Sequence, residues 1–103
     1  MLWLLRHGDA APATGSMADA ERPLTEQGRA QARAAGVALA RLGARPVACL
    51  ASPRVRARDT AALPAAALGV EVTVVEALGR GGFDAAALAA PYGGDVVLVG
   101  HEP

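Results

Sequence analysis

Short apolar runs of strand length alternate along this chain with segments patterned like helices, and this alternation constrains the fold more than any other feature. The four runs are Leu2–Arg6, Val47–Ala51, Glu71–Val75 and Asp95–Gly100. A β-α alternation of this kind favours a parallel sheet joined by right-handed crossovers. The sequence therefore predicts an α/β fold, with a doubly wound, mainly parallel sheet and helices on both faces in a three-layer sandwich.

The first predicted helix has clear signals at both ends. Thr25 is a good N-cap residue, and Gly43 is a typical stop after a helix that reaches Leu42. Apolar residues at 3-4 spacing predict a buried stripe made of Ala32, Ala35, Leu39 and Leu42. The arginines at positions 29, 33 and 41 fall on the opposite, solvent-facing side.

Two further helices are predicted downstream. The second starts near Pro53, because proline suits the first turn of a helix. Pro64 lacks a backbone donor and is expected to kink or restart this helix. The third is short and covers Asp84–Ala90, and Pro12–Ala20 is predicted to be a loop beside the functional edge of the sheet.

Length and composition exclude several classes of protein. The length of 103 residues predicts a single domain, 1–103. Ten acidic side chains balance ten basic ones and only three residues are aromatic, which disfavours a nucleic-acid partner. The single cysteine, Cys49, provides no disulfide framework and favours a reducing compartment. Met1–Leu5 is too short for a signal-peptide core, and no run approaches the roughly 18 apolar residues that span a bilayer. We therefore expect a cytoplasmic protein without a membrane partner.

Chemically active side chains follow three of the predicted strands. Arg6 and His7 end the first run, the turn after the second run leads to Arg56, and His101 follows the last run. Ligands of open α/β sheets bind beyond the carboxyl ends of the strands. In a parallel sheet these ends share one edge, so two histidines and at least two arginines are expected to converge there around an anion.

Four segments of the chain resemble one family. Leu5–Gly8, Arg22–Gly28, Ser52–Ala61 and Val97–Pro103 are similar, in this order, to the motifs of the histidine phosphatase superfamily, which includes phosphoglycerate mutases and related phosphatases. The second segment leads into the predicted first helix. The third has the pattern Ser-Pro-x-x-Arg-Ala-x-x-Thr-Ala, and the fourth is a strand that ends in a histidine.

The spacing of these segments favours one type of member. Only the 44 residues 57–100 separate Arg56 from His101, which leaves no room for the long insertions that enclose a small substrate in mutase-like members. Asp19–Thr25 also resembles the short SixA-type phosphohistidine phosphatases. The resemblance implies a phosphohistidine-bearing signalling or phosphotransfer protein as partner. A small phosphomonoester remains the alternative substrate.

The resemblance implies a role for each of four residues. His7 is the expected nucleophile, which attacks phosphorus and becomes a phosphohistidine that water hydrolyses. Arg6 and Arg56 are expected to clamp the phosphoryl oxygens, and their charges should lower the pKa of His7 and keep it neutral. His101 is expected to bind the phosphoryl group or to stabilise the transition state. No cofactor and no metal are implied.

Other residues near these four carry open alternatives. The acid that protonates the leaving group is Glu76, Asp9 or Asp19, or there is no dedicated acid. Arg22 either supports the site or pairs with Asp19 or Glu21. The sequence favours Ser52 as an N-cap or turn residue rather than a nucleophile.

Two other functions are alternatives to a phosphatase. Ligand types at His7, Asp9, His101 and Glu102 would suit a metal hydrolase, but fixed arginine charges beside His7 oppose a dication there. A non-catalytic module that binds a phosphorylated ligand is the second rival. The chain stops directly after the second histidine motif. If the native protein ends there, we expect one face of the fourth strand to be exposed; the alternative is that the domain is truncated at its C-terminus.

Overall fold

The structure, a computed structural model, describes residues 1–79 and 83–101. Its strands and helices are β1 (Leu2–Arg6), α1 (Glu26–Arg41), β2 (Pro46–Ala51), α2 (Val55–Leu68), β3 (Val72–Val74), α3 (Ala85–Ala89) and β4 (Asp95–Gly100), with 3₁₀ turns at Asp19–Glu21 and Glu76–Gly79. The four strands form one sheet in the order β1-β4-β2-β3, and every neighbouring pair is parallel. The predicted α/β fold is confirmed.

Both faces of the sheet carry a hydrophobic layer. On one face, Leu39 of α1 and three alanines of α2 (57, 61 and 65) pack against β-strand residues such as Val97 and Val99. On the other face, Leu78 of the second 3₁₀ turn and Leu88 of α3 cover Leu50 and Leu98. This arrangement produces the three layers that the alternation of strands and helices predicts.

The first helix begins as predicted and ends slightly earlier. The Thr25 side chain accepts a hydrogen bond of 3.0 Å from the backbone N–H of Gly28, which is the bond expected of an N-cap. Gly43 adopts a left-handed φ of 78° and turns the chain away. Leu42 lies at this turn and is 67% exposed, so the prediction that it belongs to the buried stripe was wrong. Ala32 and Leu39 are buried as predicted.

The second helix runs without interruption through Pro64, so the expected restart there was wrong. Pro64 is fully buried against α1, where a Cβ added to Gly36 would lie 3.1 Å from its Cα atom. The absence of a side chain at Gly36 lets the two helices approach closely. Packing of this kind offsets the backbone hydrogen bond that proline removes.

The fourth strand lies inside the sheet, between β1 and β2, and the residues of its Val96–Gly100 segment are buried. The expectation of an exposed face on this strand was therefore wrong. The crossover from β3 inserts β4 beside β1 instead of adding it at an edge. β1 and β3 are therefore the two edge strands, and Leu4 of β1 is 64% exposed. None of the described helices is long and apolar enough to cross a membrane.

Candidate active site

Parallel pairing brings the ends of β1, β2 and β4 together at one edge of the sheet. The backbone N–H of His7 donates to the carbonyl of Gly100, and that of Ser52 donates to the carbonyl of Val99, each at 3.0 Å. His101 directly follows β4. The rings of His7 and His101, 94 positions apart, consequently lie with their centroids 5.1 Å from each other.

Close backbone packing fixes the turn that carries His7. A Cβ added to Gly8 would lie 2.6 Å from the carbonyl oxygen of Gly28, so the turn and the first turn of α1 touch through backbone alone. The Gly8 N–H donates to the buried hydroxyl of Thr60, at 2.9 Å, and this hydroxyl donates to the carbonyl of Arg56 at 2.7 Å. The nucleophile candidate is thus tied to both helices.

The structure indicates which nitrogen of His7 is free to react. Its Nδ1 lies 2.7 Å from the carbonyl oxygen of Gly8. A carbonyl only accepts hydrogen bonds, so Nδ1 carries the proton and Nε2 keeps its lone pair. Burial lowers the pKa of His7 below its ordinary value, and the charges of Arg56, Arg6 and Arg22 lower it further, whereas the bond to Gly8 opposes the shift. His7 is therefore a neutral imidazole at pH 7.

His101 is neutral for related reasons. Burial lowers its pKa to about 4, and the neighbouring charge of Arg54 is the next cause. Its Nε2 atom lies 2.8 Å from the hydroxyl oxygen of Ser52, a side chain that is fully buried. Its Nδ1 atom is buried and has no hydrogen-bond partner within the described chain.

Arg56 enters the site from the first turn of α2. Its side chain is only 5% exposed, whereas Arg58, on the same helix, is exposed. Two of its N–H groups donate hydrogen bonds to the first residue of the Asp19–Glu21 turn. One bonds the backbone carbonyl of Asp19 at 2.8 Å, and the other bonds the Asp19 carboxylate at 3.1 Å. A guanidinium has five N–H donors, so three of them have no partner among the described residues and could donate to an anion.

The Asp19 carboxylate gathers three arginines. Besides Arg56, Arg22 donates to it at 3.1 Å and Arg54 lies 3.7 Å from it. The bonds from Arg22 and Arg56 hold the pKa of the carboxyl below its ordinary value. Arg22 also donates to the carbonyl of Ala11 at 2.8 Å. Of the two roles considered for Arg22, the structure shows the ion pair with Asp19, and Arg22 also lines the cavity beside His7.

Arg6 completes the positive surroundings of His7. It is exposed at the end of β1, and its charge contributes to the lowered pKa of His7. Arg6, His7 and Arg22 line a cavity of about 470 Å³ that extends towards Ala32 and Ala35 of α1. Arg56 and His101 do not line this cavity, but the ring of His101 lies beside that of His7 and the charge of Arg56 acts on His7, so all four predicted residues lie near the same edge of the sheet.

The candidate acids occupy different places. The Asp9 carboxylate accepts a 2.7 Å hydrogen bond from the hydroxyl of Thr25, so it joins the His7 turn to the start of α1. Glu76 is exposed and lines a second cavity, beside Arg54 and Gly79. Within the described ranges, no three histidine, cysteine or acidic side chains cluster as a metal site would require. Glu102, the fourth candidate metal ligand, lies outside those ranges.

Sequence reasoning missed three contacts, one of Ser52 and two of Asp19. The hydrogen bond between Ser52 and His101 joins residues 49 positions apart, and only the sheet brings them together. Asp19 was considered only as a partner of Arg22 or as an acid, yet it also binds Arg54 and Arg56. The signal available for Asp19 was its position three residues before Arg22. No signal in the sequence connects Asp19 with α2.

The lowered pKa values predict how stability depends on pH. An unfolded histidine takes up a proton near pH 6.5, whereas folded His101 resists protonation until about pH 4. The unfolded state therefore binds more protons in this window, and stability falls as the pH decreases from 6.5 towards 4. Thermal unfolding of the wild type should show this decline, and His101→Gln should make it shallower. Equal slopes in the two proteins would contradict the prediction.

Comparison with known proteins places these features in a family. Residues 2–80 match the profile of the histidine phosphatase superfamily (branch 1). An uncharacterised protein of Picosynechococcus sp. PCC 7002 is 38% identical over 109 residues, a match that covers 99% of this chain and 66% of that protein.

Solved structures agree with the sequence match. The structure of a protein assigned as the phosphohistidine phosphatase SixA of Agrobacterium tumefaciens is 29% identical, with a TM-score of 0.82 over 99% of this chain and 69% of that one. The protein histidine phosphatase SixA in complex with tungstate is 27% identical, with a TM-score of 0.81 and the same coverage. The chain spans about two thirds of the length of these relatives, and it belongs to the histidine phosphatase superfamily.

Proposed function

We propose that this protein is a phosphatase that removes the phosphoryl group from phosphohistidine on a partner protein. The observation that carries the proposal is the state of His7. It is a neutral imidazole with Nδ1–H bonded to Gly8 and a lone pair on Nε2, and it lies beside His101 and within the field of three arginines. A nucleophile placed among cations suits attack on an anionic phosphoryl group.

The reaction proceeds in two transfers. In the first, Nε2 of His7 forms a bond to phosphorus while the bond from phosphorus to the substrate imidazole nitrogen breaks, and the released nitrogen takes a proton from solvent or a nearby acid. In the second, a water oxygen attacks phosphorus, the bond to Nε2 breaks and inorganic phosphate leaves. The water proton is lost to solvent or to the leaving phosphate, so His7 returns to its starting form.

Arginine donors stabilise the charge that spreads over the phosphoryl oxygens during each transfer. Arg56 is anchored by two bonds to Asp19, so its remaining N–H groups are held in a fixed orientation. Arg6 contributes a second cation at the end of β1. A planar guanidinium donates two parallel bonds to one phosphoryl group, which suits arginine to this role.

The surroundings of the site support a protein substrate. The connection from β3 to β4 is the place where a lid would be inserted. Its described residues pack onto the sheet instead, with Phe83, Ala85 and Leu88 against the core. The edge that carries His7 is therefore left accessible in the part of the chain that the structure describes. The relatives named as SixA support the same substrate class, and the tungstate complex of one supports an oxyanion site.

A covalent intermediate on His7 tests this function. The protein is mixed with a phosphohistidine-bearing phosphotransfer protein, quenched without acid, and analysed by intact mass and peptide mapping. We expect one phosphoryl adduct on the peptide that contains His7, together with loss of phosphate from the donor. Turnover of a small phosphomonoester with no action on the donor would favour the alternative substrate. Binding without an adduct or phosphate release would favour a non-catalytic module.

A further inference from the structure

We propose that Ser52 is a positioning residue that fixes the tautomer of His101, so that His101 presents an Nδ1–H donor to the phosphoryl group. The part of this proposal that concerns the phosphoryl group rests on the proposed function. The tautomer itself does not, because it follows from hydrogen bonds within the protein.

The Ser52 hydroxyl has two neighbours and one proton. Its oxygen accepts a 3.3 Å hydrogen bond from the backbone N–H of Arg54, and it lies 2.8 Å from Nε2 of His101. If Nε2 carried the proton, the hydroxyl would accept from both neighbours. Its own proton would then be buried with no acceptor among the described residues, which is costly for a fully buried group. The favourable arrangement is donation from Ser52 to Nε2.

This arrangement places the imidazole proton of His101 on Nδ1. A neutral imidazole has one N–H group, and burial keeps His101 neutral at pH 7. Nδ1 is buried and has no partner in the described parts of the chain, although buried donors are nearly always satisfied. The ring lies beside that of His7, at a centroid distance of 5.1 Å. An oxygen of a phosphoryl group on His7 would supply the acceptor that this donor lacks.

The two histidines thereby divide the chemistry between them. Both carry the proton on Nδ1, but in His7 that proton is donated to the Gly8 carbonyl, and the nucleophilic Nε2 keeps its lone pair. In His101 the Ser52 hydroxyl donates to the lone pair of Nε2, so the ring acts as a hydrogen-bond donor through Nδ1 and is not available as a second nucleophile. Backbone selects the tautomer of one ring, and a side-chain hydroxyl selects that of the other.

Nitrogen NMR tests the tautomer without any substrate. The chain contains two histidines, so ¹⁵N-histidine labelling with a His101→Gln variant assigns both rings. At pH 7 we expect wild-type His101 to show a protonated Nδ1 and an unprotonated Nε2. We expect Ser52→Ala to shift His101 towards the other tautomer, and Ser52→Thr, which keeps a hydroxyl, to preserve the wild-type form where it folds. Thr60→Val removes the other buried hydroxyl of the site and should leave the His101 tautomer unchanged.

Titration with tungstate, an oxyanion, tests the consequence. Ser52→Ala should weaken tungstate binding by about three- to tenfold, the scale of part of a hydrogen bond to a charged group. In a His101→Ala background the same substitution should change affinity little, because Ser52 acts through His101. A wild-type His101 protonated on Nε2, or a tautomer that Ser52→Ala leaves unaltered, would overturn the proposal. These outcomes are independent of whether His7 forms a phosphoryl adduct, so a failure here is distinguishable from a failure of the proposed function.

Discussion

Replacement of His7 by alanine should abolish the phosphoryl adduct and reduce turnover by about 10⁴-fold or more, the scale found when the nucleophile of a covalent mechanism is removed. Water would then have to attack the substrate directly, without the lone pair that the Gly8 hydrogen bond orients. Single-turnover release of phosphate from the donor protein measures the loss. Thermal unfolding shows whether the half-buried ring is also needed for the fold.

The other histidine provides the matched control. His101→Ala should slow formation of the adduct but still allow it, because His101 donates to the phosphoryl group and does not bond phosphorus. Retained adduct formation in His7→Ala would refute the assignment of the nucleophile. A third outcome is that the wild type and His7→Ala bind the phosphorylated donor equally well and both release no phosphate. That result would identify the protein as a non-catalytic binding module.

Replacement of Arg56 by alanine should lower kcat by about 10²- to 10³-fold, which corresponds to about 2.7–4 kcal/mol, by analogy with the loss of one oxyanion donor. Arg56 is 5% exposed and anchored to Asp19, so its free donors reach an anion with little loss of side-chain freedom. Arg56→Lys should recover only part of the rate, since an ammonium lacks the planar pair of donors. Steady-state kinetics on the phosphohistidine donor measures both effects.

Arg58→Ala is the control for charge alone. Arg58 lies two positions further along α2 and is exposed, so its removal changes net charge by the same amount without touching the site. We expect a change within about threefold, because exposed charges are screened by solvent and salt. Equal losses in the two alanine variants would show that Arg56 acts through the general field rather than through contact with the substrate.

The layout of the fold follows largely from local sequence signals. The ends of the four predicted strands agree with the observed ends to within one residue, because apolar runs bounded by turn residues depend on nearby sequence. Thr25 and Gly43 mark the ends of α1 for the same reason. The errors arose where packing decides. Leu42 is exposed because the chain turns there, and α2 continues through Pro64 because that residue packs against α1.

The sequence by itself determined that His7 and His101 directly follow strand-like runs and that arginines accompany them, since strand ends and motif spacing are properties of local order along the chain. Tertiary structure decided the rest. Only the pairing of β4 between β1 and β2 places His101 against Ser52 and beside His7. Only the packing of the Asp19–Glu21 turn against α2 brings Asp19 within hydrogen-bond distance of Arg56 and anchors it. Tautomers and charge fields depend on atoms a few ångströms apart in space, and these atoms belong to residues tens of positions apart in the chain.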